Sequence, residues 1–139
     1  MLELLQPEKG DKILDVGSGS GWTAALLSEI VGGKGYVYGT DIVPELVEYG
    51  QTNLDKYAIT NAEINMAQKI LGWPDQAPYD KILVSAAGRE LPQELVSQLK
   101  IGGRLVMPIH NSIWKIEKNN DASVRQENYP GFVFVPLIH

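Results

Sequence analysis

Apolar positions along this chain follow two alternating rhythms. Short, nearly continuous apolar runs recur at Ile13–Val16, Tyr36–Thr40, Ala62–Met66, Asp80–Ser85 and Arg104–Ile109. They read as strands, and Ile82-Leu83-Val84 is unbroken enough for a strand covered on both faces. Between them lie segments of helical period. Trp22–Val31 carries an apolar face through Ala25, Leu26 and Ile30. A second helix starts at Pro44 and repeats Leu46, Val47, Leu54 and Tyr57 on one side. A third opens at Pro92 and turns Leu95, Val96 and Leu99 inward.

The punctuation agrees with this division. Gly32-Gly33-Lys34-Gly35 stops the first helix and turns the chain. Pro44 suits a first helical position, with Glu45 facing the positive helix end. Lys100-Ile101-Gly102-Gly103 closes the third helix. Residues 1–6 read as a last helical turn, and Pro7, Lys9 and Gly10 lead into the first strand. Strand and helix alternate as far as Ile109, which predicts a mostly parallel sheet with right-handed crossovers. The rhythm then changes. Ile113–Lys118 and about Ser123–Asn128 flank a hairpin turn at Asn119-Asn120-Asp121, and Phe132–Leu137 is a final apolar strand. The expectation is one α/β domain over residues 1–139 whose C-terminal end is antiparallel.

The chemistry concentrates after the first strand, in Asp15-Val16-Gly17-Ser18-Gly19-Ser20-Gly21-Trp22. A strand that ends in a glycine-rich turn and opens a helix lets a ligand approach the backbone. The glycines at 17, 19 and 21 form G-x-G-x-G, whereas a dinucleotide fingerprint needs its third glycine one place later. Trp22 stands there, which argues against a pyrophosphate and for a nucleoside ligand without phosphates. S-adenosylmethionine (AdoMet) has that shape. The second strand ends in Asp41, followed by Ile42, about 20 residues past the loop, where a ribose-binding carboxylate is expected.

Composition narrows the field. The chain has 139 residues, 44% of them hydrophobic and 21% charged, enough for a real core. No apolar run approaches a membrane span, and the first residues lack a secretion signal, so a cytoplasmic setting is expected. Cysteine is absent, which removes disulfides, thiolate metal sites and a cysteine nucleophile. The net charge is −5 and the twelve basic residues are scattered, so nucleic acid is not an expected partner. An adenine-N6 methyltransferase would want Asn/Asp-Pro-Pro-Tyr/Phe after the fourth strand, where Ser85-Ala86-Ala87-Gly88 stands.

Taken together, the residues resemble the Rossmann-like AdoMet-dependent methyltransferases, and within them the protein-L-isoaspartate (D-aspartate) O-methyltransferase family. The resemblance rests on Met1–Leu5, the Ile13–Gly21 glycine motif, Ile42-Val43-Pro44-Glu45-Leu46, Gly72-Trp73-Pro74 and Ala77-Pro78-Tyr79-Asp80. It continues through Ala86-Ala87, Leu91-Pro92, Leu99–Val106, Pro108 and Phe134-Val135-Pro136-Leu137, and so spans essentially the whole chain. Gly-Trp-Pro, Ala-Pro-Tyr-Asp and Phe-Val-Pro-Leu in that order are the specific part. The resemblance implies a mostly parallel twisted sheet with helices on both faces and an antiparallel end. It implies AdoMet as cofactor and methylation of the free carboxylate of isoaspartyl residues in damaged proteins, the first step of their repair.

By the same resemblance Gly17, Gly19 and Gly21, with Ser18 and Ser20 between them, flank the methionine part of AdoMet, and Asp41 holds the ribose. Two departures from the family shape further expectations. Family members carry an N-terminal segment ahead of the helix end matched by Met1–Leu5, including a loop that closes over cofactor and substrate. The family's Gly-Asp-Gly run near the adenine is Ala67-Gln68-Lys69 here, leaving Gln68 an amide but no charge. The chain is therefore expected to bind AdoMet weakly or moderately and to methylate poorly by itself. Self-association or a completing subunit is expected to cover apolar surface.

Methyl transfer from a sulfonium to a carboxylate needs neither a general base nor a metal, and no residue pattern calls for one. Asp15 reads as either a loop-ordering cap or a neighbour of the cofactor amine, and Trp22 as either pocket lining or core. Trp73 reads as a loop anchor, and His110 as a solvated rim residue. The competing readings are a methyltransferase for another small acceptor, a non-catalytic AdoMet-binding module and, disfavoured by Trp22, a nicotinamide oxidoreductase.

Overall fold

The central strand decides the architecture. Lys12–Val16 (β1) buries Ile13 on one side and Leu14 and Val16 on the other, so both faces of the sheet must be covered. The computed structural model describes residues 1–86, 88–121 and 123–130. Beside β1 lies Tyr36–Asp41 (β2), then Ala62–Met66 (β3) at one edge. On the other side follow Tyr79–Val84 (β4), Leu99–Ile109 (β5), Ser112–Lys118 (β6) and Val124–Pro130 (β7). The order β3-β2-β1-β4-β5-β6-β7 is parallel through β5 and antiparallel beyond it. The chain leaves β1 toward β3 and returns to β4 on β1's other flank. That reversal opens a crevice at the carboxyl ends of β1 and β4, where open α/β sheets bind ligands.

The two faces are covered unequally. Helices Leu2–Leu5 (α1), Trp22–Val31 (α2) and Pro44–Lys56 (α3) contribute to a core with Ile13, Val37, Ile64 and Leu83. The opposite core gathers Leu14, Val16, Ile82, Leu105 and Met107 under the short helix Gln93–Ser97 (α4) and the segment around Leu71 and Trp73. None of the helices described is long and apolar enough to cross a membrane.

Three expectations need correction. The buried face of α2 is Ala24, Leu27, Ser28 and Val31, while Leu26 and Ile30 are 39% and 37% exposed. The segment is apolar nearly all round, so nothing in it marks the phase. In α3, Leu54 and Gly50 face inward, but Leu46 is exposed, and Tyr57 follows the helix end and is 64% exposed. Leu99 is no helical residue: α4 stops at Ser97, and Leu99 already pairs with Tyr79. Residues 100–103 then bulge before pairing resumes at Lys81 and Arg104. Gly102 takes φ +83°, and a Cβ on Gly103 would meet Asp80 O at 2.9 Å. The expected last strand Phe132–Leu137, with the Phe-Val-Pro-Leu motif, lies outside the described residues.

Gln98 explains why the chain turns there. Its side chain is buried; Oε1 accepts from Trp73 N at 2.9 Å and Nε2 donates to Leu71 O at 2.8 Å and Glu94 O at 3.0 Å. Gly72, at φ +87°, presses against the same amide, so no Cβ fits. Trp73 O accepts from Tyr79 Oη at 2.6 Å, which makes the Gly72-Trp73 segment the anchored loop the sequence predicts. Gln98→Ala leaves a buried N–H and C=O without partners. It is expected to cost about 2–4 kcal/mol of stability, read by chemical denaturation.

Candidate cofactor site

Strand β1 hands directly into the glycine loop, and β2 holds that loop in shape. Gly17 N and Ser18 N both donate to Thr40 O, at 2.8 and 2.9 Å. Gly19 N donates to Asp41 Oδ2 at 2.8 Å, and the other carboxylate oxygen accepts from Val43 N at 3.0 Å. Asn53 of α3 donates to Ser20 O at 2.9 Å. Gly17, Gly19 and Gly21 have φ of +82°, +55° and +84°, conformations that suit glycine. A Cβ on Gly19 would meet nothing within 4 Å, so the loop backbone is open to an approaching molecule at that point.

Two further glycines, which periodicity does not single out, form the loop's seat. A Cβ on Gly39 of β2 would collide with the Ser18 side chain. A Cβ on Gly50 of α3 would come within 2.9 Å of Gly19 O, and one on Gly21 within 2.9 Å of Gly50 O. The loop is thus pressed between β2 and α3, with no room for a Cβ at Gly21, Gly39 or Gly50. The only signal in the sequence is a glycine inside a strand and another inside a helix, where each is otherwise unfavourable.

Asp15 lies beneath this loop. It is fully buried, and neither carboxyl oxygen has a hydrogen-bond partner among the described residues. The Ser18 hydroxyl donates to the Asp15 carbonyl at 2.9 Å, so the Asp15 side chain caps nothing. Burial pushes its pKa from the ordinary 3.8 to about 7; Ser18 lowers it in part, and Asp41 raises it further. Between about pH 4 and 7 the folded chain holds a proton that the unfolded chain has lost. This carboxyl therefore erodes stability as pH rises through that window. A buried acid without a partner is a place where a positive group would be stabilised.

The remaining candidates divide. Asp41, 9% exposed, keeps lone pairs beyond its two N–H bonds, so it can accept ribose hydroxyls while shaping the loop. Ile42 is partly exposed immediately beyond it. Ala67 N donates to Asp41 O at 2.9 Å, which places exposed Gln68 beside the end of β2. Its Nε2 lies 3.5 Å from Asp75 Oδ2. Trp22 is not a core aromatic. It is 67% exposed and lines a groove of about 880 Å³ between α2 and α3, with Leu26, Tyr49 and Tyr57. Ser20 and Gly21 border the same groove. Its amides are turned inward: Asn53 binds the loop, and Asn61 donates to Ser28 O and Gly32 O.

On the other flank of the crevice, Ser85 N donates to Val16 O at 3.1 Å, and Ser85 Cβ faces Gly17. Gly88 pairs with Ile109, and His110 follows, exposed and left-handed at φ +54°.

A crevice at the switch point of a β3-β2-β1-β4-β5 sheet, with its glycine loop tied to a strand-end carboxylate, defines a Rossmann-like methyltransferase fold. The particular family follows from comparison. The family model for protein-L-isoaspartate(D-aspartate) O-methyltransferase matches residues 1–139, and the chain belongs to that family. It is 41% identical over 143 residues to the protein-L-isoaspartate O-methyltransferase of Pyrococcus horikoshii, covering 99% of this chain and 64% of that protein. It thus spans under two thirds of that relative's length. A solved protein-L-isoaspartate O-methyltransferase superposes with a TM-score of 0.92 at 26% identity, covering 99% of this chain and 45% of the other. A Plasmodium falciparum protein assigned to the same activity, in complex with S-adenosyl-L-homocysteine, gives 0.83 at 25%, covering 99% and 69%.

The seat of the loop can be tested without any ligand. Gly39→Ala is expected to destabilise the fold by about 1–3 kcal/mol through its collision with Ser18. Ser18→Gly in the same chain should recover most of that loss in thermal or chemical unfolding.

Proposed function

We propose that residues 1–139 act as an AdoMet-dependent methyltransferase domain that transfers a methyl group to the free carboxylate of isoaspartyl residues in damaged proteins, in the cytoplasm. The observation that carries the cofactor half is the Gly17–Gly21 loop, open at Gly19 and fixed by Thr40 O and the Asp41 carboxylate. Membership of the family carries the acceptor half. In this reading Gly17, Ser18, Gly19, Ser20 and Gly21 hold the methionine part, with Asp15 beneath it and Trp22 at its border. Asp41 and Ile42 hold the ribose, and Gln68 faces the adenine edge.

When bound, AdoMet supplies an electrophilic methyl on a sulfonium whose departure as a thioether is favourable. The acceptor carboxylate is already ionised near neutral pH, its ordinary pKa being about 4. The protein's work is therefore alignment and exclusion of water. Ser85, Ala86 and Gly88 lie on the flank of the crevice opposite Asp41, and residues this small suit an incoming peptide backbone.

Calorimetric titration of the purified chain tests the reading. AdoMet is expected to bind saturably, and Asp41→Ala to weaken it at least tenfold, since the substitution removes the ribose acceptor and frees Gly19 N. Absence of binding at millimolar AdoMet would overturn the proposal. Binding without methyl-ester formation on an isoaspartyl peptide would favour a non-catalytic AdoMet-binding module.

A further inference from the structure

The buried acid under the loop does more than the cofactor reading requires. Asp15 lies on the α2 side of the sheet, at the register position of Gly39 and beside Leu83 of β4. Helix α2 turns Ala24, Leu27, Ser28 and Val31 inward, and α3 turns Gly50 and Leu54. None of these groups ionises. Ser18 closes over Asp15 from the loop and spends its hydroxyl proton on the backbone. The ionisable neighbour is Asp41, a second acid, whose two oxygens already accept from Gly19 N and Val43 N. Among the described residues, no cation acts on Asp15 from the elements packed against it. A carboxylate in such a place has neither solvent nor counter-charge, and the Ser18 hydroxyl relieves it only in part.

We propose that Asp15 senses ligand charge: it holds a proton until a cationic molecule lies along Gly17–Gly21, and then releases that proton to solvent, so that AdoMet binding is coupled to proton release. The inference rests on the cofactor reading above and extends it to regulation of the same site. The step balances simply. The O–H bond of the Asp15 carboxyl breaks, its electrons stay on the carboxylate, and the proton passes to buffer as the ligand's positive charge replaces it. AdoMet, with sulfonium and ammonium against one carboxylate, is a net cation. Its demethylated product keeps the ammonium and carboxylate and is net neutral. The coupling therefore distinguishes the two ligands. Asp15 takes a proton back when the sulfonium becomes a thioether, which weakens the hold on product relative to substrate.

The test is a carbon-detected NMR titration of the Asp15 side-chain carboxyl, assigned by its loss in Asp15→Asn. It is run on the protein alone, with saturating AdoMet and with saturating S-adenosylhomocysteine. The protein alone is expected to titrate near 7. AdoMet should lower the carboxyl's proton affinity at least tenfold, and the product should lower it less. Calorimetry near pH 7 in buffers of different ionisation heat should show proton release that Asp15→Asn abolishes. Titration of the free protein in the ordinary carboxylate range would overturn the proposal. So would a midpoint unmoved by AdoMet that calorimetry shows to be bound. A high midpoint with no AdoMet binding would defeat the cofactor reading, and the coupling with it.

Discussion

One carboxylate at the end of β2 governs the shape of the whole crevice. Asp41 accepts the Gly19 amide with one oxygen and the Val43 amide with the other. The first bond folds the glycine loop back onto β2. The second fixes the entry into α3, whose Gly50 in turn floors the loop and whose Asn53 holds Ser20. Loop, strand end and helix are therefore one mechanical unit. Its backbone geometry is set before any ligand arrives, which reduces what binding must spend on ordering.

The same unit explains an electrostatic tension. Packing the loop this tightly buries Asp15 with no hydrogen-bond partner for its carboxyl oxygens among the described residues, and Asp41, essential to the loop, is its acidic neighbour. Two acids near each other in a buried site, one with a donor on each oxygen and one with none, is an arrangement that a purely structural loop would not need. Polar groups left unpaired inside a core cost stability, and in native proteins they concentrate where function requires them.

Much of this was legible in the residues themselves. The strand-helix alternation, the antiparallel change after Ile109 and the pairing of the glycine loop with Asp41 all follow from local chemistry of turns, caps and apolar runs. What escaped has physical causes. The phase of α2 is hidden because Trp22, Leu26 and Ile30 are as apolar as Leu27 and Val31. Leu99 looks helical because the turn before it is made by a buried side chain, Gln98, whose partners Leu71 and Trp73 are remote in sequence. Gly39 and Gly50 look like weak points of a strand and a helix until the loop is laid against them. Each is a tertiary constraint, and a single sequence carries such constraints only as local exceptions. The role of each site residue toward a ligand goes beyond geometry, and it was chemistry and family resemblance that suggested it.

The most direct measurement is an amide NMR titration of the isotope-labelled chain with S-adenosylhomocysteine. Perturbations should centre on Gly17, Gly19, Gly21, Asp41 and Ile42 and fade along α2 and α3. Shifts centred instead on Tyr49, Tyr57 and Asn61, in the groove between the helices, would contradict the placement of the cofactor on the glycine loop.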